Sequence, residues 1–277
     1  MNDGPIGMFD SGFGGLSVAR SLIDLLPGED LVYVGDTGRY PYGSKPLEEV
    51  AGYARQIASR LVAEHAVKMM VVACNTAAAA ALELLRFELD VPVVGVIEPG
   101  ARAAVAATRN HRVGVIGTVG TVASGAYQRA VDAARSGVEL TCTACPGFVE
   151  FVERGQTEGD EVHVLAERLL VPVREAGVDT LLLGCTHYPF LARTIADVMG
   201  PGVVLVSSAD ETAFEVRSLL MSTGLIRQTA GNEAKGSGLP PVGAHRFIST
   251  GDVDWFREVG CRLLGPEVAE VQAWSWS

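Results

Sequence analysis

Two cysteines carry the chemistry that can be read from this sequence. Cys185 lies in Leu181-Leu182-Leu183-Gly184-Cys185-Thr186-His187-Tyr188-Pro189, where a short apolar run predicts a buried strand ending at Gly184 and delivering a thiol into a polar turn. Thr186 is placed to cap a following helix and Pro189 to stand in its first turn. A cysteine there meets unpaired N–H groups and the positive end of a helix dipole, which predicts a lowered thiol pKa. Cys74 repeats the arrangement, because Met69-Met70-Val71-Val72-Ala73 predicts a strand and Cys74-Asn75-Thr76 follows at its end. Taken singly, either cysteine reads better as inert core, since free cysteine is among the most buried residue types. Taken together, two thiols approaching one carbon from opposite faces suit removal of an α-proton on one side and return of a proton on the other. That inverts a stereocentre. One thiol must be ionised and the other protonated, from a shared starting pKa of about 8.5.

The elements that must position these thiols come in two similar rounds. Ile6-Gly7-Met8-Phe9 predicts a strand, Asp10-Ser11-Gly12-Phe13-Gly14-Gly15 a glycine loop, and Leu16 to Leu26 a helix stopped by Pro27-Gly28. A second strand, Leu31 to Val34, leads through Gly35-Asp36-Thr37-Gly38 into Arg39-Tyr40-Pro41-Tyr42-Gly43-Ser44-Lys45-Pro46, a turn-rich loop suited to covering a substrate. A helix over Leu47 to His65, the strand before Cys74, a helix over Ala77 to Leu89 and a strand over Val91 to Val96 complete the first round. The order then begins again with strand Val113 to Ile116, loop Gly117 to Thr121, a helix near Ala123 to Ala134 and strand Val138 to Cys142. Cys145-Pro146-Gly147-Phe148 takes the place of the tyrosine loop, a long helix runs from Glu161 to Ala176, and Val203 to Val206 follows the strand before Cys185. Ser11 and Thr118 are 107 residues apart, and the two cysteines 111. Beyond the repeat come a helix over Ala209 to Met221, a polar loop over Arg227 to Ala244, a helix over Asp252 to Leu264 and an edge strand over Glu267 to Trp274. The pattern predicts an α/β fold of two pseudo-symmetric domains, 1–97 with 208–277 and 98–207, each a mostly parallel sheet flanked by helices. The active site is expected in the cleft between them.

Ligands of parallel sheets bind beyond the carboxyl ends of the strands. Asp10 and His187 are the candidates to position or deprotonate the thiols, while Ser11, Asn75, Thr76, Thr118 and Thr186 offer neutral donors for carboxylates. Pro41, Tyr42, Gly43 and Thr121 complete the candidate substrate contacts. Cys142 and Cys145 have C-x-x-C spacing without a second pair for zinc, so a structural role is expected of them, and packing of Cys261. His65, His111, His163 and His245 read as exposed or satisfied. Gly12-Phe13-Gly14 with Asp36 partly imitates a dinucleotide fingerprint, but Ser17 stands where the third glycine belongs. The only lysines are Lys45, Lys68 and Lys235, none at a strand end suited to a Schiff base. Neither cofactor nor metal is expected. A net charge of −11 over 277 residues argues against nucleic acid and anionic membrane as partners. No apolar run approaches the roughly 20 residues of a membrane span, and the N-terminus lacks a signal pattern, so the expected compartment is the cytoplasm. Five scattered cysteines predict reduced thiols.

Four of these segments resemble, in order and over about the first 210 residues, the cofactor-independent glutamate racemases of the aspartate/glutamate racemase superfamily. They are Asp10 to Gly15, Gly35-Asp36-Thr37 with Tyr40-Pro41-Tyr42-Gly43, Ala73 to Ala77, and Gly184 to Pro189. The resemblance implies interconversion of L- and D-glutamate, supply of D-glutamate for peptidoglycan, and catalysis by Cys74 and Cys185. It implies substrate contacts from Asp10, Ser11, Tyr42, Gly43, Asn75, Thr76, Thr186 and His187. It also implies an acidic residue near the second cysteine, Glu153 with Glu150 as the alternative, since many members carry proline where this chain has Glu150. Ser207-Ser208 stands where an aspartate is usual, and Ala77-Ala78-Ala79 is plainer than is usual. A homodimer stays open. So do the rivals: a racemase of another acidic amino acid such as aspartate, an isomerase or decarboxylase of the superfamily, or a non-catalytic amino-acid-binding or redox protein.

Overall fold

The computed structural model describes residues 3–134, 137–227 and 242–274. Its first round comprises β1 (Ile6–Asp10), α1 (Leu16–Leu25), β2 (Leu31–Gly35), α2 (Leu47–His65), β3 (Met69–Val72), α3 (Asn75–Glu88) and β4 (Val93–Gly95). A linking helix α4 (Ile97–Ala107) leads to the second round: β5 (Arg112–Gly117), α5 (Val119–Ala123), α6 (Ala126–Ala133), β6 (Glu139–Ala144), α7 (Phe148–Glu153), α8 (Asp160–Leu169), α9 (Val171–Glu175) and β7 (Thr180–Gly184). Then follow α10 (Ala192–Met199), β8 (Val204–Ser207), α11 (Ser208–Ser222), β9 (His245–Ser249), α12 (Val253–Leu263) and β10 (Val271–Ala273).

Both sheets are parallel throughout, and their first four strands share one order. One runs β10-β9-β2-β1-β3-β4 and the other β6-β5-β7-β8, so the strand preceding each cysteine is flanked by corresponding neighbours. Parallel strands need helical crossovers that cover both sheet faces, which is why β3 and β7 are apolar at nearly every position. Alternation within β7 divides its burial: Leu182 joins the core that includes the first sheet, while Leu181 and Leu183 join a second core against α8 and α10. The C-terminal segment returns to the first sheet, β9 pairing with β2 and β10 forming the edge.

Four local expectations change. The helix expected near Ala123 to Ala134 is two helices broken at Gly125, whose φ of 66° lies in the left-handed region. The long helix of Glu161 to Ala176 is likewise divided before Pro172, which has no N–H to continue the ladder. Helix α4 is a further element, over a stretch given no element in the sequence reading; Pro99 falls in its first turn and Gly100 lets the Ser208 side chain approach. The strand expected over Glu267 to Trp274 shortens to β10 after a 3-10 turn at Pro266–Val268. Residues 228–241 of the polar loop lie outside the described residues.

Away from the cysteines, a buried ion pair fastens the amino ends of the first sheet. Lys68 Nζ, fully enclosed, lies 2.5 Å from Glu29 Oε2, and Glu29 Oε1 accepts the Arg227 N–H at 2.7 Å. Truncation of one partner strands the other charge without water. Lys68→Ala is therefore expected to lower unfolding free energy by about 3–5 kcal/mol, read from urea denaturation.

Candidate active site

The strand ends of the two sheets open into one cleft of about 620 Å³ including its mouth, and Cys74 and Cys185, each 5 % exposed, both line it. Ser11, Pro41, Tyr42, Gly43, Asn75 and Thr76 line it from the first round, and Thr118, Thr186 and His187 from the second. Asp10 and Thr121 do not line it; both are buried. Glu153 also stands back from the cleft, in contact with His187.

Cys74 is the N-cap of α3, accepting the Ala77 N–H on Sγ at 3.5 Å, with Ser11 Oγ 3.7 Å away. These contacts favour a thiolate. Burial nevertheless pushes the Cys74 thiol well up, and the neighbouring Asp10 carboxylate adds to the rise. At this helix end desolvation of the enclosed sulfur outweighs its N–H donor. Asp10 is itself raised by burial, against the opposing influence of His187 and the N–H groups of Gly15 and Ser11. Its Oδ2 accepts the Gly15 N–H at 2.9 Å and that of Gly12 at 3.3 Å, so the glycine loop wraps around the carboxylate.

Cys185 is held differently. Thr186 caps no α-helix; a 3-10 turn over Tyr188–Leu191 follows, with His187 at its cap position and Pro189 in its first turn. His187 Nδ1 lies 3.9 Å from Cys185 Sγ and its Nε2 3.2 Å from Glu153 Oε1. Burial alone would lower the imidazole pKa, but the contacts with Cys185 and Glu153 and the charge of Asp10 carry it up to about 10. Both contacts favour the imidazolium form of His187, which lies between a sulfur and a carboxylate. Of the two acidic residues considered, Glu153 meets His187 and Glu150 lines the cleft.

Around the thiols the wall is built from hydroxyls and a fastened loop. Thr76 Oγ1 lies 2.9 Å from Thr118 Oγ1 and 3.2 Å from Thr121 Oγ1, which joins α3 to the start of α5. Asp36 accepts Arg39 Nε at 2.7 Å, the Thr250 hydroxyl at 2.5 Å and the Tyr42 hydroxyl. It thereby anchors the tyrosine loop and is not free for a ribose. Phe13 of the glycine loop stacks on Phe256 and meets Trp255 edge-on, with centroids 5.2 and 4.7 Å apart, so α12 supports the site from behind.

Some lining residues escaped the sequence reading. Cys145, expected to be structural, lines the cleft with Pro146 and Gly147, its thiol pushed up to about 12 by burial. Cys142, half-buried on β6, is raised to about 11. The repeat was the available signal for Cys145, since Cys145 to Phe148 takes the place of the tyrosine loop. Tyr127, whose hydroxyl meets Asn75, gave no signal, being one aromatic on a helix.

A family profile of Asp/Glu/hydantoin racemases matches residues 6–216. A glutamate racemase of Parafrankia sp. (strain EAN1pec) is 53% identical over 271 residues, covering 98% of this chain and 94% of that protein. Among solved structures, a glutamate racemase isoform of Bacillus anthracis superposes with a TM-score of 0.90 at 38% identity, covering 100% of this chain and 98% of that one. A glutamate racemase of Francisella tularensis in complex with D-glutamate gives 0.88 at 32% identity, covering 99% and 98%. The chain belongs to the Asp/Glu/hydantoin racemase family.

Two predictions come from this geometry. A Cβ at Gly14 would lie 2.4 Å from Thr186 Oγ1 and 2.5 Å from His187 Nδ1. Gly14→Ala is expected to displace the Cys185 turn and cut kcat/KM about a hundredfold in steady-state assays. Glu153→Gln should lower the His187 pKa from about 10, followed by the histidine ring carbon resonance against pH. The raised value also stabilises the fold, fully below the unfolded value of 6.5 and less as pH rises through 10, so the variant should lose less stability over that interval.

Proposed function

We propose that this chain interconverts L- and D-glutamate without a cofactor, through two cysteine acid–base groups that face the α-carbon from opposite sides. The observation that carries the reading is that Cys74 and Cys185, at corresponding strand ends of two like-ordered sheets, line one cleft. The relatives named above support glutamate as the substrate. One cysteine, as thiolate, takes the proton from Cα, and the electron pair left behind delocalises into the α-carboxylate. The other, as thiol, returns a proton to the opposite face. The roles exchange for the other enantiomer.

Each thiol has its own proton partner in this reading. Asp10, raised by burial, receives the proton when Cys74 ionises. The His187 imidazolium, held in its charged form by Glu153, has no site left to accept a proton; beside Cys185 it stabilises the thiolate and can hand a proton to it. Ser11, Gly43, Asn75, Thr76, Thr118 and Thr186 hold the two carboxylates, with Pro41 and Tyr42 shaping the wall and Thr121 steadying the hydroxyls. The reading extends to two units, 1–97 with 208–277 and 98–207, that close on the substrate. It also places the enzyme in the cytoplasm, where D-glutamate enters peptidoglycan, and allows a homodimer, which sedimentation equilibrium would register as twice the chain mass. No helix among the described residues is long and apolar enough to cross a membrane.

The test is incubation with either enantiomer in deuterated water, following circular dichroism and α-deuterium incorporation. Wild type should invert both. Cys74→Ser and Cys185→Ser should each slow racemisation about a thousandfold or more while leaving exchange on one face only. Near-normal turnover in either variant defeats the two-thiol mechanism.

A further inference from the structure

Asn75 leaves a buried amide nitrogen unpaired among the described residues. It opens α3 directly after Cys74, lines the cleft and is 2 % exposed, yet its Nδ2 has no hydrogen-bond partner among the described residues. Its Oδ1 is satisfied by the Tyr127 hydroxyl at 2.6 Å. Two buried N–H donors left unused are costly unless something entering the cleft accepts them. Tyr127 reaches Asn75 from α6, in the other round of the repeat. Its ring lies against the chain beside Cys185, where a Cβ on Gly184 would meet Tyr127 Cε2 at 2.8 Å. One tyrosine thus touches the residue after Cys74 and the residue before Cys185.

The composition of the cleft makes the orientation of this amide consequential. Among the described residues that line it there is neither lysine nor arginine, so carboxylates must be met by neutral donors and His187. An asparagine turned end for end would offer a carbonyl oxygen to a carboxylate, replacing two donors with repulsion. Burial holds the Tyr127 phenol in its protonated form, so it remains a donor.

We propose that Tyr127 is a positioning residue: by donating to Asn75 Oδ1 it fixes the amide with Nδ2 presented to a substrate carboxylate. The inference rests on the glutamate reading and deepens it, naming a residue of the second round that orients a donor of the first. The amide is correctly turned only while the two rounds are together, which couples assembly of the cleft to recognition of the acid.

Tyr127→Phe keeps the ring against Gly184 and removes the hydroxyl alone. Its KM for both enantiomers is expected to rise about tenfold, with kcat changed less than about threefold and the thermal midpoint held. On an Asn75→Ala background the same change should raise KM by less than about twofold. An unchanged KM, a loss confined to kcat, or a further tenfold rise on the Asn75→Ala background would each overturn the proposal. A second measurement needs no Tyr127 variant. The side-chain amide nitrogen resonance of Asn75 in the wild type, assigned by its absence in Asn75→Ala, should shift on saturation with D-glutamate; a resonance that stays in place overturns the proposal. Wild-type inversion in the same assays decides the glutamate reading separately.

Discussion

The approach of the Asp10 to Gly15 loop to the Cys185 to His187 turn is the contact on which the rest of the site depends. At Gly14 the two turns are so close that even a methyl group would collide with Thr186 and His187. That closeness helps to enclose both thiols between the two sheets. It also brings Asp10, built into one loop, within electrostatic reach of His187 on the other, so each changes the proton affinity of its counterpart. Thr76 with Thr118 and Asn75 with Tyr127 repeat the junction through hydroxyls at two further points.

Corresponding topology does not give the cysteines corresponding chemistry. Cys74 caps a full α-helix, yet burial dominates and its proton is held tightly next to an acid that is itself raised. Cys185 precedes a 3-10 turn and has for a neighbour His187, whose pKa is raised by its contacts. One thiol thus has a buried carboxyl for its proton partner and the other a histidine held toward its charged form. In the proposed inversion these protonation states exchange with each turnover.

The C-terminal segment belongs to this arrangement although it carries no repeat of its own. Ser249 and Thr250, at the end of β9, place hydroxyls on Thr37 and Asp36, which fasten the tyrosine loop. Phe256 and Trp255 pack on Phe13, and Arg262 Nη2 donates to the Glu153 carbonyl across to α7 at 3.2 Å. The tail therefore braces the glycine loop and reaches the helix that carries the partner of His187.

By itself the sequence determined what periodicity and residue type can express. The strands before Cys74 and Cys185 are apolar because parallel sheets bury both faces, and the glycine loop, the tyrosine loop and the 111-residue offset follow the order of the chain. Local order therefore exposed the α/β class, the repeat and most of the cleft wall. It could not supply contacts between residues far apart in the chain, such as Tyr127 with Asn75 or Cys145 beside the site. Nor could it weigh desolvation against an N–H donor at Cys74, since enclosure arises only when both sheets and the tail come together. Helix ends and alternation are written in neighbouring residues, whereas burial, charge coupling and the direction of a buried amide are properties of the packed whole.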